Sequence, residues 1–503
     1  MVSSSRGKRL RLNTISSLVF QITTIICGFI LPRLILKNFG SQVNGLVNSI
    51  TQFLHIITFL ELGVGAVVQS ALYKPLADHD DAHISKIIRS ASRFFTKIAI
   101  ILLVYTAILV VFYPILVNKD FGHIYTATLI LAISISSFAQ YYFGVVDRLL
   151  LSADQKGYIQ YTAQTITLIL NTAACAVMIG IGASIHVVKL TTSIIYLLRP
   201  VALRLYVNQH YKIDRKIDYT GEPIKQKWNG IAQHVAAVVL DQTDIVVLTS
   251  LSTLINVSIY SVYHLVLYGV KNLFLSLTNG FQSLMGEMLA KNETEELKRF
   301  FSWTEWLLHT GTVLVFGCTG VLVVPFVTVY TNGIVDAEYA LPLFAALMTI
   351  AHAGHCLRLP YNILILAAGH YKQTQWNYII AATLNIVISV LTVKVWGLIG
   401  VAIGTLCAML YQTVWMAVYD SKHILNTPIY EFIKHIVVDL ITVAIAGELT
   451  YRIPMRSVSY VSWVLLAIID ATIWTTVIVL VNTIFYRSEM KNVMGKFISV
   501  FRR

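Results

Sequence analysis

Two acidic residues, Asp241 and Asp244, interrupt the apolar run AAVVLDQTDIVVLTSL, and Lys271 interrupts the apolar run that follows. The first run covers 231–254 and the second 257–289, where Tyr260, Tyr263, His264 and Tyr268 precede the lysine. Read as helices crossing lipid at about 1.5 Å per residue, the chain reaches Asp241 after ~15 Å and, entering from the other side, Lys271 after ~18 Å. Both depths fall near the middle of a hydrocarbon core ~30 Å thick. Asp241 and Asp244 are three residues apart and share one helix face. A charge at mid-bilayer costs about 2.5–3.5 kcal/mol on insertion scales, so these groups face one another or a polar cavity. Carboxylates so placed bind a coupling proton or Na⁺, or act as gating contacts. The lysine suits a substrate phosphate, or an ion pair with either aspartate.

Further candidates lie on other apolar segments. Arg358 follows His352 and His355 toward the inner half of its span, placed either to bind phosphate or to hydrogen-bond a neighbouring helix end. Arg33 sits near the outer end of the first span, where its stem can snorkel to the interface. Tyr263 and Tyr268 are deep enough to stack on sugar rings, whereas Tyr260 belongs to the interfacial belt. Asp78, Asp80 and Asp81 have the spacing of an Asp-x-Asp metal site, but acidic residues opening a solvated helix account for them better. The sequence contains no His-Glu-x-x-His motif, glycine-rich phosphate loop or nucleophile elbow, so no catalytic or metal-ligating set is assigned and no enzyme is expected. Without a Walker motif, any work must draw on an ion gradient or on the substrate gradient itself.

The elements that position these residues follow from composition. The chain is 56% hydrophobic and only 13% charged over 503 residues, with a mean hydropathy of +0.70, and its apolar runs are too long and numerous for buried core helices. Fourteen spans are predicted, among them 42–73, 124–151, 257–289 and 338–368. The net charge of +13 needs no nucleic-acid partner. Most of the Lys and Arg residues fall in the N-tail, the even-numbered loops and the C-tail, which makes both termini cytoplasmic, and only Lys271 and Arg358 are counted inside spans. All five cysteines lie in apolar spans and read as small hydrophobes. The basic N-terminus precedes a retained first span with no cleavage site.

The expected division is 1–208 for spans one to six, 209–227 for a cytoplasmic linker, 228–420 for spans seven to twelve, and 421–503 for two further spans and the C-tail. The linker's basic residues are topology determinants that are also able to grip a lipid headgroup. The halves show a weak internal repeat. LLLSADQKGYIQYTAQ in the first matches LILAAGHYKQTQWNY in the second, and each is followed by Leu-Asn, at Asn171 and Asn385. Gly397, Gly400 and Gly404 carry the spacing of close helix packing. Asp439, Glu448 and Asp470 are expected to form a polar seam between the last two spans.

Four segments together carry a resemblance: LPRLILKNFGSQVNGLVNSI, LELGVGAVVQSALYK, LDQTDIVVL with VSIYSVYHLV, and LNIVISVLTVKVWGLIGVAIGT. They resemble the bacterial polysaccharide flippases of the MOP superfamily, which includes MATE drug exporters and lipid II flippases. The resemblance covers nearly the whole chain and implies an all-α integral membrane protein, with two six-helix lobes around a central cavity and two C-terminal helices beside a groove for a lipid tail. It implies alternating access, a polyprenyl-(pyro)phosphate-linked oligosaccharide as substrate, membrane lipid and polysaccharide-assembly proteins as partners, a monomer, and a bacterial plasma membrane location. Cavity cations would neutralise the phosphate, and Lys271, Arg358 and Arg33 are this chain's candidates. Glu61, before Leu62-Gly63, would stand near the cytosolic gate. Span two lacks the arginines that lipid II flippases carry there. The rival readings are a cation-coupled drug exporter and a membrane enzyme acting on lipid-linked sugars. The short external loops count against the enzyme.

Overall fold

Long apolar segments without breakers leave the backbone one solution in lipid, the α-helix, because every peptide group must find its partner within the segment. The computed structural model, which describes residues 2–57, 64–117, 120–219, 221, 224, 231–278 and 280–491, is all-helical in this sense. The fourteen-span, all-α membrane architecture read from the sequence is the one observed. Nine helices among the described residues are long and apolar enough to cross a membrane. Large apolar side chains cover their outer faces, as at Val111, Phe112, Leu391 and Ile484, where lipid takes the place of a protein partner.

The chain divides into two compact units, Met1–Val238 with Thr253–Ser258, and Val239–Ser252 with Ile259–Arg503. The first begins with α1 (Val2–His55), which passes through Pro32 and turns sharply at Gly40, where φ is 82°. That left-handed backbone costs glycine little and other residues more, so the chain turns at this glycine. Then follow α2 (Val64–Ala77), α3 (Asp81–Leu116), α4 (His123–Ala139), a π-helical turn at Gln140–Gly144, α5 (Val145–Ala153), α6 (Gly157–Gly180) and α7 (Ile185–His210). Asp80 caps α3, its carboxylate accepting from the His83 amide at 2.9 Å, so the Asp78–Asp81 cluster opens a helix. Helix α4 packs on α3 and α7, and α6 packs on α1 and α7. A continuous apolar core runs through Leu46, Ile50, Ile87, Phe95 and Leu150.

Ion pairs tie the helix ends of this unit together. Asp147 of α5 is fully buried, with Arg204 at 2.9 Å and Arg215 at 2.8 Å. Asp154, in the turn between α5 and α6, takes Lys156 at 2.8 Å and Arg9 at 3.4 Å, and accepts from the Tyr211 hydroxyl at 2.5 Å. Burial, reinforced by that carboxylate, pushes the Tyr211 phenol above its usual range, so it remains a hydrogen-bond donor.

The second unit holds most of α8 (Ile231–Leu251) and of α9 (Leu254–Leu277), then α10 (Phe281–Ala290), α11 (Thr294–Tyr330), α12 (Pro342–Leu357) and α13 (Leu359–Ala367). It closes with α14 (Tyr371–Trp396), α15 (Leu398–Asp420), α16 (Tyr430–Tyr451) and α17 (Tyr460–Phe485). Three predicted spans are therefore not single helices. The 124–151 span contains the π turn, 257–289 breaks at Gly280, and 338–368 breaks at Arg358 ahead of Pro360. Hydropathy sees only that such segments are apolar. The break at Arg358 follows from the proline at the second position of α13, which cannot continue the hydrogen-bond ladder.

The polar seam expected between the last two spans is present where Tyr486, at the end of α17, meets His435 of α16, and α11 joins it. His309 Nδ1 lies 2.6 Å from Asp439, the Trp306 indole donates to Asn482 at 2.8 Å, and Tyr486 meets His435 at 2.7 Å. Glu448 pairs with Arg452 of its own helix. The His309 and Trp306 bonds fasten α16 and α17 to α11, the Tyr486 bond ties α17 to α16, and both helices also pack on α11.

Breaking a buried pair strands the remaining charge, at a cost of about 3–5 kcal/mol. Asp147→Ala therefore lowers the thermal unfolding midpoint of the purified protein clearly. An unchanged midpoint would show that Arg204 and Arg215 do not depend on this carboxylate.

Candidate functional site

Within the second unit the residues singled out in α8 and α9 converge with α12, α14 and α15. Asp244 is 3% exposed, yet its carboxylate is saturated. Tyr260 of α9 and Thr405 of α15 each donate a hydroxyl to Oδ2 at 2.8 Å, and the Asn385 amide of α14 approaches Oδ1 at 3.4 Å. Asn385 also donates to Thr405 at 3.2 Å. The carboxylate thus stands among an amide and two hydroxyls contributed by three other helices. Such an oxygen-rich set suits a proton or a small hard cation.

The close approach of α14 and α15 makes this possible. A Cβ at Gly404 would lie 2.2 Å from Ser389 Oγ and 2.9 Å from the Asn385 carbonyl, and one at Gly400 would lie 2.7 Å from the Thr392 backbone. Gly400 and Gly404 pack the two helices as expected and bring Asn385 and Thr405 within reach of Asp244, whereas Gly397 sits at φ 52° in the turn between them.

Lys271 borders the same pocket, together with His264, His352 and His355. Its side chain is 4% exposed, and its ammonium lies 4.9 Å from the centre of the Tyr268 ring. Tyr268 stacks in turn on His264 with centroids 5.1 Å apart, and His264 meets Tyr260 at 5.5 Å. The cavity among these groups is about 20 Å³, room for a single water. Arg358 occupies the break between α12 and α13, 5% exposed, and donates to His355 Nδ1 at 3.0 Å.

Other expected residues are placed differently. Tyr263 is a core residue: its hydroxyl donates to the Tyr339 carbonyl at 2.7 Å and its ring meets Phe344 edge-on, leaving no face for a sugar. A tyrosine one turn from a pocket residue reads identically in sequence. Tyr260, assigned to the interfacial belt, is instead a ligand of Asp244. Tyr268 is 42% exposed. Arg33 is half-buried on α1, in the first unit. Glu61 lies outside the described residues, as does the side chain of Asp241.

A second chamber, unforeseen from the sequence, lies wholly within the first unit between α1, α4, α5, α6 and α7. Its volume is about 410 Å³, and Arg148, Lys189 and Arg199 line it with Gln160, Gln164 and Asn171. Counting Lys271 and Arg358 as the cations inside spans misses Lys189 and Arg199, which stand within α7. Lys189 stands close to the start of α7, where a cation reads as a boundary residue, but Arg199 stands near its middle. The available signal is a polar stripe along one face, at Lys189, Thr192, Ser193, Tyr196 and Arg199, three or four residues apart.

No family model matches this chain, and no curated protein matches it. Among solved structures, a lipid II flippase, MurJ, in an inward closed conformation is similar with a TM-score of 0.70 at 16% identity, covering 95% of this chain and 99% of that one. An inward-facing multidrug resistance MATE family transporter of the MOP superfamily gives 0.56 at 14%, covering 80% and 95%. A eukaryotic MATE transporter, AtDTX14, gives 0.57 at 10%, covering 82% and 95%.

Alanine at Gly404 must push against the backbone that holds Asn385, and overpacking of this kind costs about 1–3 kcal/mol. Gly404→Ala therefore lowers thermal stability measurably, while Gly447→Ala, where added bulk meets nothing within 4 Å, does not. Equal midpoints for the two variants would contradict the close approach of α14 and α15. The chain carries the multi-helix transporter fold seen in the lipid II flippase and in the MATE transporters.

Proposed function

We propose that this protein is a flippase that moves a polyprenyl-(pyro)phosphate-linked oligosaccharide across the bacterial plasma membrane by alternating access. One observation carries the reading. The lipid flippase fold accounts for 95% of this chain, whereas the two MATE structures account for 80–82%. Beyond a twelve-helix exporter core this chain has α16 and α17, and α17 presents an open, largely apolar surface from Ile468 to Leu480. A hydrocarbon tail can lie along such a surface while its polar head crosses through the protein.

The electrostatics agree with an anionic cargo. Lys271 and Arg358 add positive charge deep in the second unit, and Lys189 and Arg199 do so in the first. A carrier of cationic drugs gains nothing from cations so placed. In this reading Lys271 and Arg358 meet the phosphate only when their pocket widens, because about 20 Å³ holds no phosphate. Asp244, with Asn385, Thr405 and Tyr260, is the coupling site for H⁺ or Na⁺. The monomer is the working unit, with both termini cytoplasmic.

Equilibrium binding in neutral-lipid nanodiscs tests the proposal. The protein should bind a fluorescent prenyl-diphosphate disaccharide saturably, with an affinity that depends on Na⁺ or pH, and should ignore ethidium. Asp244→Asn should remove the ion dependence and leave binding in place. Tight ethidium binding without glycolipid binding would favour the exporter, and ion dependence that survives in Asp244→Asn would move the coupling site elsewhere.

A further inference from the structure

The chamber in the first unit follows α7 from Lys189 to Arg199, ten residues and therefore about 15 Å of helix. A cation stands at each end, and Arg148 joins the lining from α5. Among the described residues, no aspartate or glutamate contributes to the wall. The nearest buried carboxylate in sequence, Asp147, is committed to Arg204 and Arg215. Neither Lys189 nor Arg199 has a carboxylate partner among the described residues. Arg199 donates to the Thr167 hydroxyl at 2.6 Å and lies 3.8 Å over the Tyr196 ring, contacts that fix its plane without neutralising its charge. Both cations are half-buried against the chamber, so an anion that enters it meets positive charge that no carboxylate on the described wall offsets.

Between the two cations the wall changes character. Gln160, Gln164 and Asn171 face it from α6, and Ser136 and Gln140 from the end of α4 and its π turn. Asn171 reaches the Tyr196 hydroxyl at 3.4 Å, while Gln164 Oε1 is buried with no hydrogen-bond partner among the described residues. An unfilled acceptor beside amides and hydroxyls is matched by a ligand rich in hydroxyl donors. The volume of about 410 Å³ lies within the range of about 300–1,000 Å³ of pockets that bury small ligands. The π turn supports the same conclusion, because π-bulges concentrate at functional sites.

We infer that this chamber is a binding site for an anionic sugar head group, a glycosyl diphosphate, with Lys189 and Arg199 taking the phosphates and the α6 amides taking sugar hydroxyls. The inference deepens the proposed function and rests on it for the lipid that carries the head group. It gives the first unit a cargo site of its own, distinct from the small pocket around Asp244 and Lys271.

The test uses the full-length protein in phosphatidylcholine nanodiscs and five probes: farnesyl-diphosphate N-acetylglucosamine, farnesyl diphosphate, the uncharged farnesyl glycoside, inorganic diphosphate and phosphatidylglycerol. Lys189→Gln should weaken the diphosphate glycolipid about tenfold, the scale of one lost charge-assisted hydrogen bond. The uncharged glycoside should be unaffected, and Lys189→Arg should restore binding, which also reports that the fold tolerates change there. Gln164→Leu should weaken farnesyl-diphosphate N-acetylglucosamine more than farnesyl diphosphate. Full-strength binding of the diphosphate glycolipid by both Lys189→Gln and Arg199→Gln would overturn the site while leaving the flippase reading intact. Lys189-dependent binding of inorganic diphosphate without glycolipid binding would support the anion site and sink the flippase reading. Phosphatidylglycerol bound as tightly, with the same dependence on Lys189, would overturn the assignment to a sugar head group.

Discussion

Charge placed where water is absent must be bonded on every side, and that requirement organises the polar interior of this protein. Asp244 illustrates it. A carboxylate in the interior of a transmembrane bundle persists only because α9, α14 and α15 each send it a donor. Those donors arrive only because Gly400 and Gly404 let α14 and α15 approach backbone to backbone. The same rule fixes Asp147 against two arginines in the first unit and His309 against Asp439 in the second. Local sequence decides where helices form; these buried charges decide which helices must meet.

Breaks in the helices matter as much as their length. In the first unit α4 passes through a π turn into α5, and in the second α12 gives way to α13 at Arg358. Each broken helix is followed by a tight turn, with Gln155 or Gly369 at positive φ, and then by an unbroken helix pair, α6–α7 or α14–α15. The recurrence gives physical substance to the weak sequence repeat. It also explains why Asn171 and Asn385, matched by that repeat, both serve polar sites: one lines the 410 Å³ chamber and the other holds Asp244. Equivalent positions have been put to different chemistry, a roomy electropositive chamber in one unit and a tight oxygen cluster in the other.

Much of this was legible in the residues. Hydropathy and span length gave the all-helical membrane fold, and the shared face of Asp241 and Asp244, at the depth of Lys271, pointed to the pocket that Asp244 and Lys271 both line. What escaped had local causes. Tyr260 and Tyr263 differ by three residues, and only tertiary packing sends one to a carboxylate and the other to a carbonyl in the core. Lys189 lies near a span end, where cations are usually topological, Arg199 lies mid-span, and only the facing helix α6 reveals that they share a chamber. Asp439 pointed to its neighbour in sequence, α17, but its partner His309 stands on α11.

The account stands on cargo identity, and transport measured directly decides it. Protein reconstituted into liposomes with a polyprenyl-diphosphate oligosaccharide in one leaflet should make that lipid accessible to a membrane-impermeant glycosidase on the opposite side, well above the rate in protein-free vesicles. Transfer at the protein-free rate, together with exchange of a cationic drug for H⁺ or Na⁺ by the same vesicles, would contradict it and place the chain with the exporters.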